Sequence, residues 1–141
     1  MIKCETVGML DIAKINPVLT SQNDVVNNSF LTVDGITYVI MNDTNGDDAY
    51  IDGITIKAGK YLNGYDLSAW VGQKLVIDEK HITYGSGEDY DDITAGTTLL
   101  KVKTDGTLEL ASAAPSSGIY FKVTDKVTLT EKAVKAKVMV A

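Results

Sequence analysis

The chain has 141 residues, the size of one domain, with 45% hydrophobic residues and a formal net charge of −6. All 13 basic residues are lysines, and because arginine is the preferred residue for bidentate recognition of phosphates and bases, this composition argues against binding to nucleic acid or to anionic lipid. No run of 18 apolar residues and no secretory signal pattern occurs, so we expect no membrane span and synthesis in a cytoplasm.

Residues 1–28 are predicted to form an extended N-terminal arm, and residues 29–141 a β domain. Pro17 and the polar residues 20–24 interrupt the scattered apolar residues of the first segment, which prevents a long regular element. Such an arm could pack along the domain, pack along a neighbouring subunit, or remain a loose chain end.

Two β-hairpins are predicted, each centred on an Asp-Gly pair. Residues 30–41 alternate with the two-residue period of a strand on both sides of positions 34–35, which favour a type I′ turn. Residues 97–110 show a similar arrangement around positions 105–106. Both segments contain many β-branched residues, which suit a half-buried pleated surface.

A short helix is predicted near 66–72, in the stretch that also holds the single tryptophan. Asp66 is a suitable N-cap because its carboxylate can accept from the free N–H groups of the first turn. Tyr65 and Trp70 have the spacing of a hydrophobic staple across this cap. Gly72 stands where a left-handed helix end is expected.

The aromatic residues of this stretch allow two interpretations. Trp70 is the natural core anchor, because large aromatic side chains bury the most area per residue. Alternatively, Tyr61, Tyr65 and Trp70 form a flat platform for a ligand, which would make the chain a carbohydrate-binding module.

The remaining apolar runs predict further strands, at residues 74–78, 81–84, 119–124, 126–130 and 133–140. In the last of these, Lys135 and Lys137 alternate with small apolar residues, a pattern typical of an edge strand protected against aggregation. Short strands separated by frequent turns predict an all-β fold, a small sandwich or barrel of short antiparallel strands.

Two acidic segments are candidate calcium sites. Residues 43–54 resemble an EF-hand loop superficially, but the required glycine and the final glutamate fall at the wrong positions, so the match fails. The second segment carries four carboxylates, Glu88, Asp89, Asp91 and Asp92. It is either a solvated loop or a site where carboxylate oxygens hold Ca²⁺.

The sequence gives little support to a catalytic site or a metal site. Cys4 is the only cysteine and His81 the only histidine, so an internal disulfide is excluded and a zinc site lacks ligands. Neither residue lies in a nucleophile motif. We therefore expect a protein that is not an enzyme, without catalytic residues, bound metal or cofactor.

The chain resembles the small capsid decoration, or auxiliary head, proteins of tailed bacteriophages. The resemblance lies in the run Ala58-Gly59-Lys60-Tyr61-Leu62-Asn63-Gly64 leading to Trp70, and in the ending Ser117-Gly118-Ile119-Tyr120-Phe121-Lys122-Val123-Thr124-Asp125-Lys126-Val127-Thr128-Leu129. It implies a structural protein of the virion that binds the outside of the capsid through the major capsid protein. It also implies an N-terminal arm and, as in several such proteins, a homotrimer. Another β-rich virion component, of the tail or a fibre, is the alternative.

Overall fold

Twelve β-strands and one short α-helix form most of the regular structure of residues 1–42, 54–128 and 130–141, which the computed structural model describes. The strands are β1 Ile2–Cys4, β2 Ile15–Leu19, β3 Val25–Val26, β4 Phe30–Val33, β5 Ile36–Ile40, β6 Thr55–Ile56, β7 Leu62–Asp66, β8 Lys74–Asp78, β9 Leu99–Val102, β10 Leu108–Ala111, β11 Ile119–Thr128 and β12 Lys132–Val140. The helix α1 spans Gly8–Asp11, and 3₁₀ turns lie at Leu67–Trp70, Glu79–His81 and Tyr90–Asp92. The predicted all-β class is confirmed.

Two antiparallel sheets pack face to face as a sandwich. The first has the strand order β1-β8-β12-β11-β9-β10, and the second has the order β2-β7-β5-β4. The main core lies between them and joins Leu75, Phe121 and Val134 of the first sheet to Phe30 and Val39 of the second. Apolar residues at alternate positions of both sheets supply this core, as the two-residue period of a strand requires.

A smaller core covers the other face of the second sheet. Tyr38 and Ile40 of β5 point into it, together with Leu19, Leu62 and Val25, and the two-stranded sheet β3-β6 lies against this side. Because Val39 faces the main core, β5 is buried on both faces. This double burial accounts for its nearly continuous apolar sequence.

Both predicted hairpins are confirmed. The first joins β4 to β5 through Asp34 and Gly35, whose φ angles of 52° and 79° are those of a type I′ turn. The second joins β9 to β10, and Gly106 takes the left-handed conformation at its tip. These turns are local, so the order of a few residues determines them.

β12 lies inside its sheet, between β8 and β11, so the edge-strand interpretation of residues 133–140 was wrong. Val134, Ala136 and Val138 are fully buried against the main core. Lys135 and Lys137 alternate with them and therefore point to the outer face of the sheet. The two-residue alternation correctly predicted which side chains of β12 face outwards. It does not reveal how many neighbouring strands β12 has.

Two further predictions need correction. The segment expected to be a strand at residues 81–84 begins instead with the 3₁₀ turn at 79–81, and only Ile82 forms an isolated bridge, to Leu108. Of the two strands predicted at 119–124 and 126–130, the first and residues 126–128 of the second belong to one strand, β11, whose register shifts between Val123 and Asp125. A bulge of this kind adds one residue to a strand and bends it without ending it.

The N-terminal segment 1–28 packs along the domain, which is one of the placements considered for it. β1 pairs with β8, with Ile2 opposite Ile77, and β2 pairs with β7. Ile2 and Met9 belong to the main core, so the packing continues across the predicted boundary at residue 28. The segment compared with an EF-hand lies outside the described residues except for Ile54.

Candidate interaction surface

The aromatic stretch around Trp70 has the local geometry that its sequence predicts. The Asp66 carboxylate caps the 3₁₀ turn by accepting from the Ser68 N–H at 2.9 Å. Gly72 ends the element with a φ of 88°. The rings of Tyr65 and Trp70 stack with centroids 5.6 Å apart, which confirms their predicted contact across the cap.

The same geometry overturns the aromatic platform. Trp70 is fully buried and Tyr65 is 7% exposed, whereas the side chain of Tyr61 is 68% exposed. The indole N–H of Trp70 donates to the carbonyl oxygen of Met9 at 2.7 Å, deep in the core. A sugar ring therefore cannot stack on Tyr65 and Trp70, because both faces of that pair are used for packing.

Cys4 and His81 lie at opposite ends of β8. Cys4 is opposite Leu75 near the start of that strand, and His81 is buried in the 3₁₀ turn that follows Asp78. Leu75 and Asp78 are three positions apart in the strand, a rise of about 10 Å. Burial also raises the pKa of the Cys4 thiol, which disfavours the reactive thiolate. The structure thus does not bring these two residues together.

The acidic loop uses three of its carboxylates to hold its own backbone. Glu88 accepts from the Gly85 N–H at 2.7 Å, while Asp89 and Asp92 cap the 3₁₀ turn at 90–92 reciprocally. Within the described residues, no group of three or more acidic, histidine or cysteine side chains has an arrangement that could hold a metal ion. Three of the four carboxylates of this loop are therefore engaged in hydrogen bonds to its own backbone.

Tyr90 anchors that loop to the β11–β12 hairpin. Its hydroxyl donates to the carbonyl oxygen of Ala133 at 2.7 Å, and the Lys126 ammonium lies 4.4 Å from its ring centroid. Burial raises the pKa of the Tyr90 hydroxyl. Nearby, burial and then the hydrogen bond to Glu79 raise the pKa of Tyr84 strongly. The hydroxyl groups of both tyrosines are thus engaged in hydrogen bonds within the fold.

An unusual concentration of exposed aliphatic side chains lies between residues 7 and 18. We call this set the N-terminal apolar surface; its members are Val7, Leu10, Ile12, Ile15 and Val18, exposed by 85%, 54%, 51%, 45% and 64%. With Met1, they make up half of the large hydrophobic side chains that are exposed in the described part of the chain. Exposed large apolar side chains are therefore concentrated in this segment, and patches of such side chains mark contact sites for other macromolecules.

Fixed contacts hold the backbone under this surface in place. The Trp70 indole binds the carbonyl of Met9, and the Asp66 N–H donates to the Lys14 carbonyl at 2.8 Å. Val7 and Leu10 also line an apolar groove of about 280 Å³ beside Tyr65. The surface is therefore part of the folded body, although its side chains face outwards.

Sequence reasoning did not foresee this surface. Its apolar residues were visible, but their spacing around Pro17 matched neither a helix nor a strand, so nothing indicated which of them were buried. The sequence feature that could have indicated the surface is the high number of apolar residues in a segment that forms no long helix or strand.

Within the described residues, no helix is long and apolar enough to cross a membrane. No protein-family model, curated protein or solved structure matches this chain.

Proposed function

We propose that this chain is a structural protein of a bacteriophage virion that decorates and cements the outside of the capsid. In this role it binds the major capsid protein through the N-terminal apolar surface and catalyses no reaction. The proposal places the protein on the exterior of the virion after synthesis in the bacterial cytoplasm. A homotrimer is the assembly that the family resemblance favours.

The N-terminal apolar surface is the observation that carries this proposal. Five aliphatic side chains face solvent on a backbone that the core holds in place, so the surface can bind without first becoming ordered. Preorganised surfaces lose less conformational entropy on binding and so bind more tightly for the same contact area. The resemblance of residues 58–64 and 117–129 to decoration proteins supports the choice of the capsid as the partner.

A decoration role also fits the physical demands of a shell. A capsid presents many identical sites, so a modest interface in each copy is sufficient, and an oligomer gains further affinity by avidity. Such binding requires complementary shape and apolar contact rather than reactive groups. This kind of binding is compatible with the positions of Cys4, His81 and the carboxylates of the acidic loop, which are described above.

The test is binding of the purified chain to undecorated shells of the phage that encodes it. We expect the chain to co-sediment with shells at a fixed number of copies per capsomer. Val7→Asp and Val18→Asp should weaken this binding at least about tenfold, because each places a charge in an apolar contact. Val140→Asp is the matched control, since Val140 is 56% exposed at the end of β12, outside this surface.

Two results would overturn the proposal. Failure of the wild-type chain to bind shells, together with its presence in purified tails or fibres, would assign it to another virion component. Equal loss of binding in Val140→Asp would show that the N-terminal apolar surface is not the contact. Circular dichroism and thermal unfolding of each variant establish that it is folded before binding is measured.

A further inference from the structure

Three lysines form a row across the outer face of the six-stranded sheet. Lys137 of β12 lies directly opposite Lys74 of β8 on one side and Lys122 of β11 on the other. Their neighbours along each strand, among them Leu75, Phe121 and Val138, are fully buried, so the three lysines point away from the core. We call these three residues the lysine row.

The row is only partly neutralised. Lys74 lies 3.8 Å from an Asp125 carboxylate oxygen. Among the described residues, no carboxylate oxygen lies within 4.0 Å of the ammonium group of Lys122 or Lys137. Neighbouring strands are about 4.8 Å apart, so three cationic residues fall within roughly 10 Å. A chain with a net charge of −6 thus carries a local positive patch.

Three lysines placed side by side lower the stability of the fold. Because they do not serve stability, they indicate a function. Like charges placed directly opposite on neighbouring strands repel each other. A glutamate or threonine at position 137 would relieve the repulsion and suit the sheet equally well. Half-buried Tyr120 and Met139 lie opposite each other on the same face and add apolar contact area beside the charges.

We propose that the lysine row binds a protein segment whose carboxylates are spaced about 5–7 Å apart. Acidic side chains have this spacing at positions i and i+4 of a helix and at i and i+2 of a strand. Charge complementarity identifies the partner as acidic, and the adjacent apolar side chains suit a polypeptide rather than a phosphate backbone. The absence of arginine also disfavours phosphate, which guanidinium groups bind in bidentate fashion.

Binding at the lysine row is independent of the proposed capsid role. The lysine row lies on the outer face of the six-stranded sheet, whereas the N-terminal apolar surface belongs to residues 7–18. A chain that fails to bind shells can still bind an acidic segment, and the reverse also holds.

Labelled poly-L-glutamate is the probe, and fluorescence anisotropy measures its binding to the full chain at low and at physiological salt. We expect saturable binding that weakens as salt rises, since screening reduces the attraction. The double variant Lys122→Gln and Lys137→Gln should weaken binding about five- to thirtyfold. Its thermal midpoint should equal or exceed that of the wild type, because the substitution removes repulsion within the row.

The matched control is the double variant Lys57→Gln and Lys60→Gln, which changes the net charge equally at an exposed turn outside this sheet. It should bind poly-L-glutamate within about twofold of the wild type. Equal weakening in both double variants would overturn the proposal, because it would show that net charge alone is responsible. Absence of wild-type binding would do the same.

A single-stranded oligonucleotide, measured in parallel, separates carboxylate from phosphate. We expect it to bind more weakly than poly-L-glutamate at equal charge and salt. Tighter binding of the oligonucleotide, lost in the Lys122→Gln and Lys137→Gln variant, would overturn the assignment of an acidic polypeptide.

Discussion

The side-chain amide of Asn28 and the backbone of Ile2 form two hydrogen bonds with each other. The Ile2 N–H donates to Asn28 Oδ1 at 2.7 Å, and Asn28 Nδ2 donates to the Ile2 carbonyl oxygen at 3.0 Å. Among the strands of the described residues, β1 has only β8 as a neighbour in its sheet, so Asn28 occupies the place of a second strand at this position. The residue is buried and has a φ of 60°, a conformation that asparagine tolerates better than most residues.

Asn28→Ala should lower the free energy of unfolding by about 2–4 kcal/mol, because it leaves a buried N–H and a buried carbonyl of Ile2 unpaired. Urea unfolding, followed by the fluorescence of the single tryptophan, measures this loss. Asn23→Ala is the control, since Asn23 is exposed, and it should change stability by less than about 0.5 kcal/mol. Equal stability of the two variants would contradict the role given to Asn28.

Trp70→Ala should lower the free energy of unfolding by about 3–5 kcal/mol, the range for loss of a fully buried large aromatic side chain. Trp70→Phe retains much of the ring but removes the N–H that the Met9 carbonyl accepts, so it should cost less. Because fluorescence is lost in these variants, circular dichroism follows their unfolding. Tyr61→Ala, at an exposed position, should be nearly neutral; a large loss of stability there would show that the Tyr61 side chain packs against the domain.

Gly64→Ala should destabilise the fold by about 1–3 kcal/mol through overpacking. A Cβ atom at position 64 would lie 2.8 Å from Leu19 Cδ2 and 2.9 Å from Tyr38 Cδ1, both in the smaller core. Gly8→Ala is the control, because a Cβ atom there has no neighbour within 4 Å. Differential scanning calorimetry compares the two; a stable Gly64→Ala protein would mean that the smaller core is loosely packed.

Tyr84 should make the free energy of unfolding depend on pH in the alkaline range. Burial and the hydrogen bond to Glu79 raise its pKa above the ordinary value of 10.0, so the folded state favours the neutral phenol. Its contribution is complete below pH 10 and is lost as the pH rises toward the folded pKa. Tyr84→Phe should therefore show a shallower loss of stability above pH 10 than the wild type, measured by urea unfolding at several pH values. Tyr61→Phe should keep the wild-type slope.

Local signals predicted the local structure well. The turn at 34–35, the cap at Asp66 and the strand at 74–78 each depend on residues close together in the chain, and the structure confirms all three. The full burial of Trp70 was also predicted, because its size favours the core.

Features that depend on distant partners were not predicted. The position of β12 between β8 and β11 requires knowledge of sheet order, and the lysine row exists only because three strands align in one register. Lys74, Lys122 and Lys137 are unremarkable when taken one at a time in the sequence. The burial of Tyr65 likewise depends on Trp70 and the main core, not on its own neighbours in the chain.

The pairing of β1 with β8 also affects how the protein is made. On a ribosome adding roughly 5–20 residues per second, Ile2 emerges several seconds before Ile77, its partner. During that interval the first strand has no sheet to join, and closing so long a loop costs chain entropy, which slows folding. The nascent chain must therefore keep its apolar beginning soluble until the middle of the polypeptide has been synthesised.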